Sequence, residues 1–406
     1  MLIAPTENND SKKPARLLSL DALRGFDMFW IISGEEIFHG FADVVQHKYG
    51  LFRNPTNWQI YADGRLSFLE KIAVAISNQL HHTVWNGFTF YDLIFPLFIF
   101  IAGVSMPFSY SRLRNKETGL LNPTQREYGS LLRRTLLLLL LGMVVNGGLK
   151  FAGYEHTRFA SVLGRIGLAC FFAALIYLKF NLRWQITWFV IILLGYWALM
   201  ALVPVPGYGA GNYSPAGNLS AYVDRIMLPG KLHRGVYDPE GLLSTIPAIA
   251  TALLGIFTGT FLRCQGTQFT PVNKMLAILA AGLLFVITGL GWNFYFPINK
   301  NMWTSAFTIY AGGWSLILFG LFYGVIDVGG WQKWCRPFVW IGTNSILIYL
   351  AAHGLVNFLS TSQFLLDGVL KYVDPLWHRS ILWTGVLLIQ LLLLRFLYRH
   401  KIFLKL

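Results

Sequence analysis

Long apolar runs, most of them near twenty residues, alternate along this chain with short polar segments rich in basic and turn-forming residues. About twenty apolar residues wound as a helix rise roughly 30 Å, the thickness of a bilayer's hydrocarbon core. The pattern predicts ten membrane-spanning helices, at roughly 22–38, 89–110, 131–149, 160–178, 184–203, 242–262, 275–294, 304–326, 338–358 and 380–398. The first is interrupted by Arg24, Asp27, Glu35 and Glu36, and hydropathy alone would demote it to an interfacial helix. Charge retains it. With ten spans both termini share one side of the membrane, and that side's short loops hold the larger share of the Lys and Arg residues. The other side has the longer loops and fewer cations. The positive-inside rule then places both termini in the cytoplasm and turns the 39–88 and 204–241 loops outward.

Composition agrees with a membrane class. The 406 residues are 55% hydrophobic and 13% charged, with a mean hydropathy of +0.50. A net charge of +14 invites a nucleic-acid reading. The cations lie in inter-span loops, however, with no basic face on a soluble domain, so topology explains them and no nucleic-acid partner is expected. The expected fold is all-α: a polytopic helical bundle in contact with membrane lipid, comprising a cytoplasmic tail at 1–20 and one transmembrane domain at 21–406. No short apolar core with a cleavage site follows the polar N-terminal residues, so no cleavable signal peptide is expected. The 204–219 stretch, rich in Gly, Pro, Asn and Tyr, reads as an ordered turn-rich loop. Gly255 and Gly259 form a GxxxG that permits close helix contact. No internal repeat is evident. The three cysteines form no disulfide framework.

The candidate chemistry concentrates at 81–104, HHTVWNGFTFYDLIFPLFIFIAGV. Two histidines, Trp85 and Asn86 stand just before an apolar run that carries Asp92 near its start. Interfacial His and Trp can simply anchor a helix in the headgroup layer. An imidazole there can also take and return a proton near neutral pH, and a nearby carboxylate can orient it. Other ionisable groups inside spans are Arg24, Asp27, Glu35, Arg165 and His353; such groups face a bundle interior or wet cavity by default. Internal pairing, for example Arg24 with Asp27, is the plain alternative for any one of them. His82 or His353 could act as general base or transient nucleophile, and Arg24 could grip a phosphate. Polar clusters at span ends add YDPEG at 237–241 with Asp238, and PINKNMW at 297–303 with Lys300. Asn344 and Ser345 offer an amide and a hydroxyl to a ligand or to a neighbouring helix. No GxSxG, Walker-type or HExxH motif occurs. His81 and His82 lack a second pair of ligands, so no metal is expected.

These motifs carry a resemblance. RLLSLDALRGFDMF at 16–29, HTVWNGFTFYDLIFPLFIFIAG at 82–103, RFASVLGRIG at 158–167, YDPEGLLSTI at 237–246, PINKNMW, NSILIYLAAH at 344–353 and the terminal KIFLKL occur in one order and spacing. Together they resemble the membrane-embedded heparan-α-glucosaminide N-acetyltransferases and their bacterial relatives. The resemblance implies transfer of acetyl from cytosolic acetyl-CoA to the amine of a glucosamine across the membrane. It puts the catalytic histidine of an H-x-x-W-N-G motif on His82 and not His81. It also matches His353 to the histidine of the ninth span and Arg165 to the arginine of L-x-R-x-G. One departure stands out: where lysosomal relatives carry an asparagine near the outer end of the first span, this chain has Glu35. A carboxylate donates no hydrogen bond unless protonated, so either Glu35 orients the acceptor amine or Asn86 supplies the donor.

The combined expectation has His82, Asp92 and Glu35 as catalytic residues and Arg24, Arg165, Asn344 and Ser345 around acetyl-CoA. Trp85, Asn86, Asp238, Lys300 and His353 would surround an amino sugar or glycan. The bacterial relatives imply the inner membrane and a periplasmic acceptor; a homodimer is left open. Direct attack on the thioester is preferred to an acetyl-histidine intermediate, because fixing both substrates around one base already captures the proximity advantage. O-acetylation of a glycan is the nearest alternative. A sugar or peptide transporter is the rival from another class, and broken helices with inverted repeats would favour it.

Overall fold

The structure, a computed structural model, describes residues 17–50, 64–113, 121–150 and 153–404. Most of the 1–20 tail, with Lys12, Lys13 and Arg16, lies outside the described residues. Among those described the fold is helical; the only β pairing consists of isolated bridges. In chain order the α-helices are α1 (Leu18–Phe29), α2 (Glu35–Tyr49), α3 (Phe68–Gln79), α4 (Phe90–Ser109), α5 (Gln125–Val145), α6 (Val162–Lys179), α7 (Leu182–Leu202) and α8 (Leu219–Met227). They continue as α9 (Thr245–Leu262), α10 (Pro271–Trp292), α11 (Ser305–Tyr323), α12 (Arg336–Thr343), α13 (Ser345–Leu350), α14 (Phe358–Leu370) and α15 (His378–Arg399).

Among the described residues eight helices are long and apolar enough to cross a membrane, or nine if the bent pair α12–α13 counts as one span. The expected first span does not reach that standard of composition. It is nonetheless part of the longest continuous helical stretch: α1 runs through a π-helical segment, Trp30–Gly34, into α2, about 48 Å in all at 1.5 Å per residue. Its charges explain both facts, since they lower hydropathy without interrupting backbone hydrogen bonding. The expected 338–358 span is corrected. It bends by 77° between Thr343 and Ser345 and breaks again at His353–Gly354, where Gly354 has φ +124°. The cause of the first bend is long-range: Asn344, at the corner, donates from Nδ2 to the Ile402 carbonyl (3.0 Å) and accepts from the Leu404 amide (3.1 Å). The 39–88 loop also contains more helix than expected, through the second half of α2 and through α3.

The core centres on α4, α6, α9 and α11. Small residues let two of these helices touch backbone to backbone. A Cβ placed on Gly255 would lie 2.1 Å from the Phe100 carbonyl oxygen, and one on Gly259 2.3 Å from that of Val104. The GxxxG therefore seats α9 on α4, as its spacing suggests. A second close crossing joins α1 to α12, where Gly342 approaches the Asp21 carbonyl and Gly25 that of Phe338. The 204–241 loop is ordered and turn-rich, with α8 inside it.

Candidate active site

The H-x-x-W-N-G segment forms a loop that runs into α4. Asp92 occupies the third position of that helix, where a carboxylate caps exposed backbone N–H groups. Its Oδ2 accepts from the backbone amides of Thr83 (3.3 Å) and Thr89 (3.2 Å) and from both threonine hydroxyls (3.1 Å each). Its Oδ1 lies 2.8 Å from His82 Nδ1. Asp92 is thus fixed before it meets the imidazole, with its side chain 1% exposed against 48% for His82. A buried carboxylate on Nδ1 selects the tautomer that leaves Nε2 with a lone pair.

Lys300 completes the cluster. Its Nζ stands 3.1 and 3.3 Å from the two ring nitrogens of His82 and 3.5 Å from Asp92 Oδ1. Burial pushes the Lys300 ammonium below its ordinary pKa, with the Asp92 carboxylate pulling the other way. The loop before α11 delivers this lysine, and its neighbour Asn299 does more than the sequence revealed. Asn299 is fully buried and donates from Nδ2 to the Trp85 carbonyl (2.8 Å) and to Asn86 Oδ1 (3.0 Å), while its Oδ1 accepts from the Met302 amide. Gly87 donates to the Ile298 carbonyl and has φ +118°, a conformation open chiefly to glycine. The P-I-N-K segment therefore clamps the W-N-G turn. Trp85 is held likewise, donating from Nε1 to the Tyr213 carbonyl and packing edge-on against Tyr237. Both Trp85 and Asn86 shape the loop rather than line the cavity beside His82.

That cavity, about 260 Å³, extends from His82, Lys300 and Glu240 between apolar walls from α1, α4, α6 and α13, as far as Phe98 and Ile346. Tyr91 lines it, with its ring 4.7 Å from that of His82, and it interacts electrostatically with Glu35. Glu35 itself faces a second cavity of about 300 Å³, with Glu36, Asn357 and His353. Arg379 engages Glu36 through Nε (2.9 Å) and Nη2 (2.6 Å), which leaves Glu35 as the carboxylate not neutralised by an arginine contact there. His353 lies at the junction: it lines both cavities, its ring stacks on Tyr349 at 4.3 Å, and its Nδ1 is 3.0 Å from the Tyr349 carbonyl.

The other sequence candidates sit further out. Asp238 receives Arg158 through Nε (2.8 Å) and Nη2 (2.6 Å); although burial opposes it, the guanidinium holds this carboxyl below its usual range. Arg158 also binds Glu240, and it is Glu240 that reaches the cavity. Arg165 is buried behind the cavity wall. It stacks over Trp303 at 5.0 Å and donates from Nη2 to the Gly241 carbonyl and to Ser244, while Nε and Nη1 have no hydrogen-bond partner among the described residues. Arg24 pairs with Asp21 at 3.6 Å, one turn before it, rather than with Asp27. Asn344 is occupied by the C-terminal segment, and Ser345 is buried at the start of α13. Tyr91, Asn299 and Glu240 were missed, although all three lie inside motifs the sequence displays.

No group of three or more His, Cys, Asp or Glu side chains able to hold a metal occurs among the described residues. Chemically, the cluster offers a base with an oriented lone pair, a cation beside it and a narrow apolar slot leading to both.

The comparisons agree on one family. Residues 65–297, more than half of the chain, match the family described as heparan-alpha-glucosaminide N-acetyltransferase, catalytic. The human heparan-alpha-glucosaminide N-acetyltransferase is 28% identical over 382 residues, covering 80% of this chain and 55% of that protein. The mouse protein of the same name is 28% identical over 383 residues, covering 80% and 56%. This chain thus spans about half the length of the curated relatives it matches. Its matched region includes the His82 loop, Asp92, Arg158, Arg165 and Asp238, and the chain belongs to the heparan-alpha-glucosaminide N-acetyltransferase catalytic family.

Proposed function

We propose that this protein is an integral membrane acetyltransferase that moves acetyl from acetyl-CoA to the amine of a glucosamine-type sugar, with His82 as general base. The observation that carries the reading is the His82–Asp92 pair at the mouth of a narrow apolar cavity, in a chain of this family. The cavity's apolar walls and volume of about 260 Å³ suit an acyl-pantetheine arm, with the nucleotide of CoA on the cytoplasmic side of it. With the long α1–α2 helix as a tenth span, the distribution of basic loops supports cytoplasmic termini. The donor then enters from that side, and the His82 loop faces the far side, in the inner membrane of a bacterium.

An amino sugar arrives largely as an ammonium and must lose one proton to become a nucleophile. His82 Nε2 takes it, and the imidazolium is stabilised by Asp92. The free amine attacks the thioester carbon, forming the C–N bond and a tetrahedral oxyanion beside the Lys300 ammonium. Collapse breaks the C–S bond. His82 returns its proton to the departing CoA thiolate and, neutral again, takes the second nitrogen proton and passes it to water, so the products are the amide and the thiol, with one proton released. The lowered pKa of Lys300 suits it to exchange that proton with His82. Glu35, exposed to the second cavity, supplies negative charge for the ammonium of the acceptor, while Tyr91 joins that carboxylate to the His82 wall. Direct attack needs no acetylated histidine.

The bend in α12–α13 is one of the two features that would favour a transporter. Family membership and the base–carboxylate pair favour the enzyme. Purified protein in detergent, given acetyl-labelled acetyl-CoA, is expected to label glucosamine but not N-acetylglucosamine, whose amine is blocked. Label on both sugars would instead indicate O-acetylation, and label on neither in folded protein would refute an amino-sugar acceptor.

A further inference from the structure

The ends of α1, α12 and α15 that lie away from the His82 cavity enclose a separate concavity of about 810 Å³. Lys333, Arg336, Arg395 and Arg399 all line it, and among the described residues no carboxylate does. All four are exposed, and among the described residues none of them forms an ion pair. A nearby acid, Asp327, is engaged, accepting from the backbone amides of Leu18 and Ser19 at the start of α1. Topology accounts for basic residues on this side of the bundle, but not for four of them converging on one hollow, where like charges repel.

The surroundings indicate what would neutralise them. Arg395 lies over the Trp340 ring at 5.4 Å, an arrangement suited to the headgroup layer. On α15, Leu388 and Leu392 are 56% and 65% exposed. They fall on the same helix face as Arg395 and Arg399, at successive helical spacings. An apolar stripe thus runs from the cationic hollow along a helix that presents most of its surface outward. Guanidinium pairs match phosphate oxygens by forked hydrogen bonds, and basic pockets between membrane helices suit lipid phosphates. A nucleotide phosphate would satisfy the cations but leave the stripe unused.

We propose that this hollow binds the headgroup phosphate of an anionic phospholipid whose acyl chains lie along Leu388 and Leu392. The test is native mass spectrometry of the purified full chain in mild detergent, with phosphatidylglycerol or phosphatidylcholine added at matched concentration. Wild type is expected to retain phosphatidylglycerol about tenfold better, and Arg395→Gln with Arg399→Gln to lose that preference. Adenosine 3′,5′-bisphosphate should not displace the lipid. Equal retention of the two lipids by wild type, or an unchanged preference in the double variant, would overturn the proposal. Displacement by the bisphosphate would also overturn it, by assigning the cations to a nucleotide. Lys333→Gln with Arg336→Gln, on the opposite wall, gives the same readout if the first variant does not fold.

Discussion

The two walls of the catalytic cavity are built differently. One comes from α4 and α6, regular helices that pack with α9 and α11 in the dry core, with α4 and α9 in backbone contact at Gly103, Gly255 and Gly259. The other comes from α1 with its π segment and from α13, which meets α12 at a 77° bend and is followed by a second break at Gly354. The groups that would do the chemistry follow this division. His82 and Asp92 belong to the regular wall, where a helix start and two threonines fix the carboxylate. Glu35 and His353 belong to the interrupted wall, next to a second cavity. Regular packing positions a proton acceptor well but leaves no room for substrates; π segments and breaks open space at a cost in backbone hydrogen bonding, and they cluster at functional sites.

This contrast can be broken by substitution, beginning with the largest effect. Gly255→Leu forces a side chain into the Phe100 carbonyl and should separate α4 from α9, with an overpacking penalty of about 3 kcal/mol or more. The expected result is loss of monodisperse protein on size-exclusion chromatography, together with the His82 site. Asp92→Asn keeps the shape but removes the charge and alters the His82 tautomer; kcat should fall about a hundredfold, with KM changed far less. Gly354→Ala is the matching test of the other wall. A Cβ there meets nothing within 4 Å, but φ +124° strains any L side chain. The yield of folded protein should stay normal while kcat/KM falls about tenfold, in line with a backbone strain of roughly 1–2 kcal/mol. Comparable losses of yield in the two glycine variants would dissolve the distinction between the walls.

The smallest expected effect lies outside both. Asp224, in α8, is buried beneath Gly241, and burial pushes its carboxyl up to about 7, against the hydrogen bond from the Leu242 amide. Its folded pKa exceeds the unfolded value, so the folded state binds the extra proton between about pH 4 and 7. Stability from this group is therefore greatest at low pH and is lost as pH rises to 7. The melting temperature of wild type should fall across that window by more than that of Asp224→Asn. Equal slopes would remove Asp224 as the cause.

Much of the regular wall was legible in the sequence. The expected 89–110 span appears as Phe90–Ser109, because a polar, turn-forming stretch precedes an unbroken apolar run. Asp92 stands 2.8 Å from the His82 imidazole, because both residues lie in one short loop and helix start. The interrupted wall was not legible, for identifiable reasons. The bend at Asn344 depends on backbone groups of Ile402 and Leu404, far along the chain. The continuation of the first helix to Tyr49 carries too many polar residues for a hydropathy signal. Asn299 looked like a neutral member of a polar cluster until the fold brought it against Trp85 and Asn86. Arg158 likewise lay in a quoted motif, but its partners Asp238 and Glu240 are contributed by a distant loop.

The most direct test of the account is acetyl transfer by His82→Ala and His353→Ala beside wild type, each checked for a native elution profile. The account predicts that His82→Ala loses at least about a hundredfold in transfer to glucosamine, while His353→Ala, on the interrupted wall, mainly raises KM for the sugar. Near-normal transfer by folded His82→Ala would contradict it and move the base to the other wall.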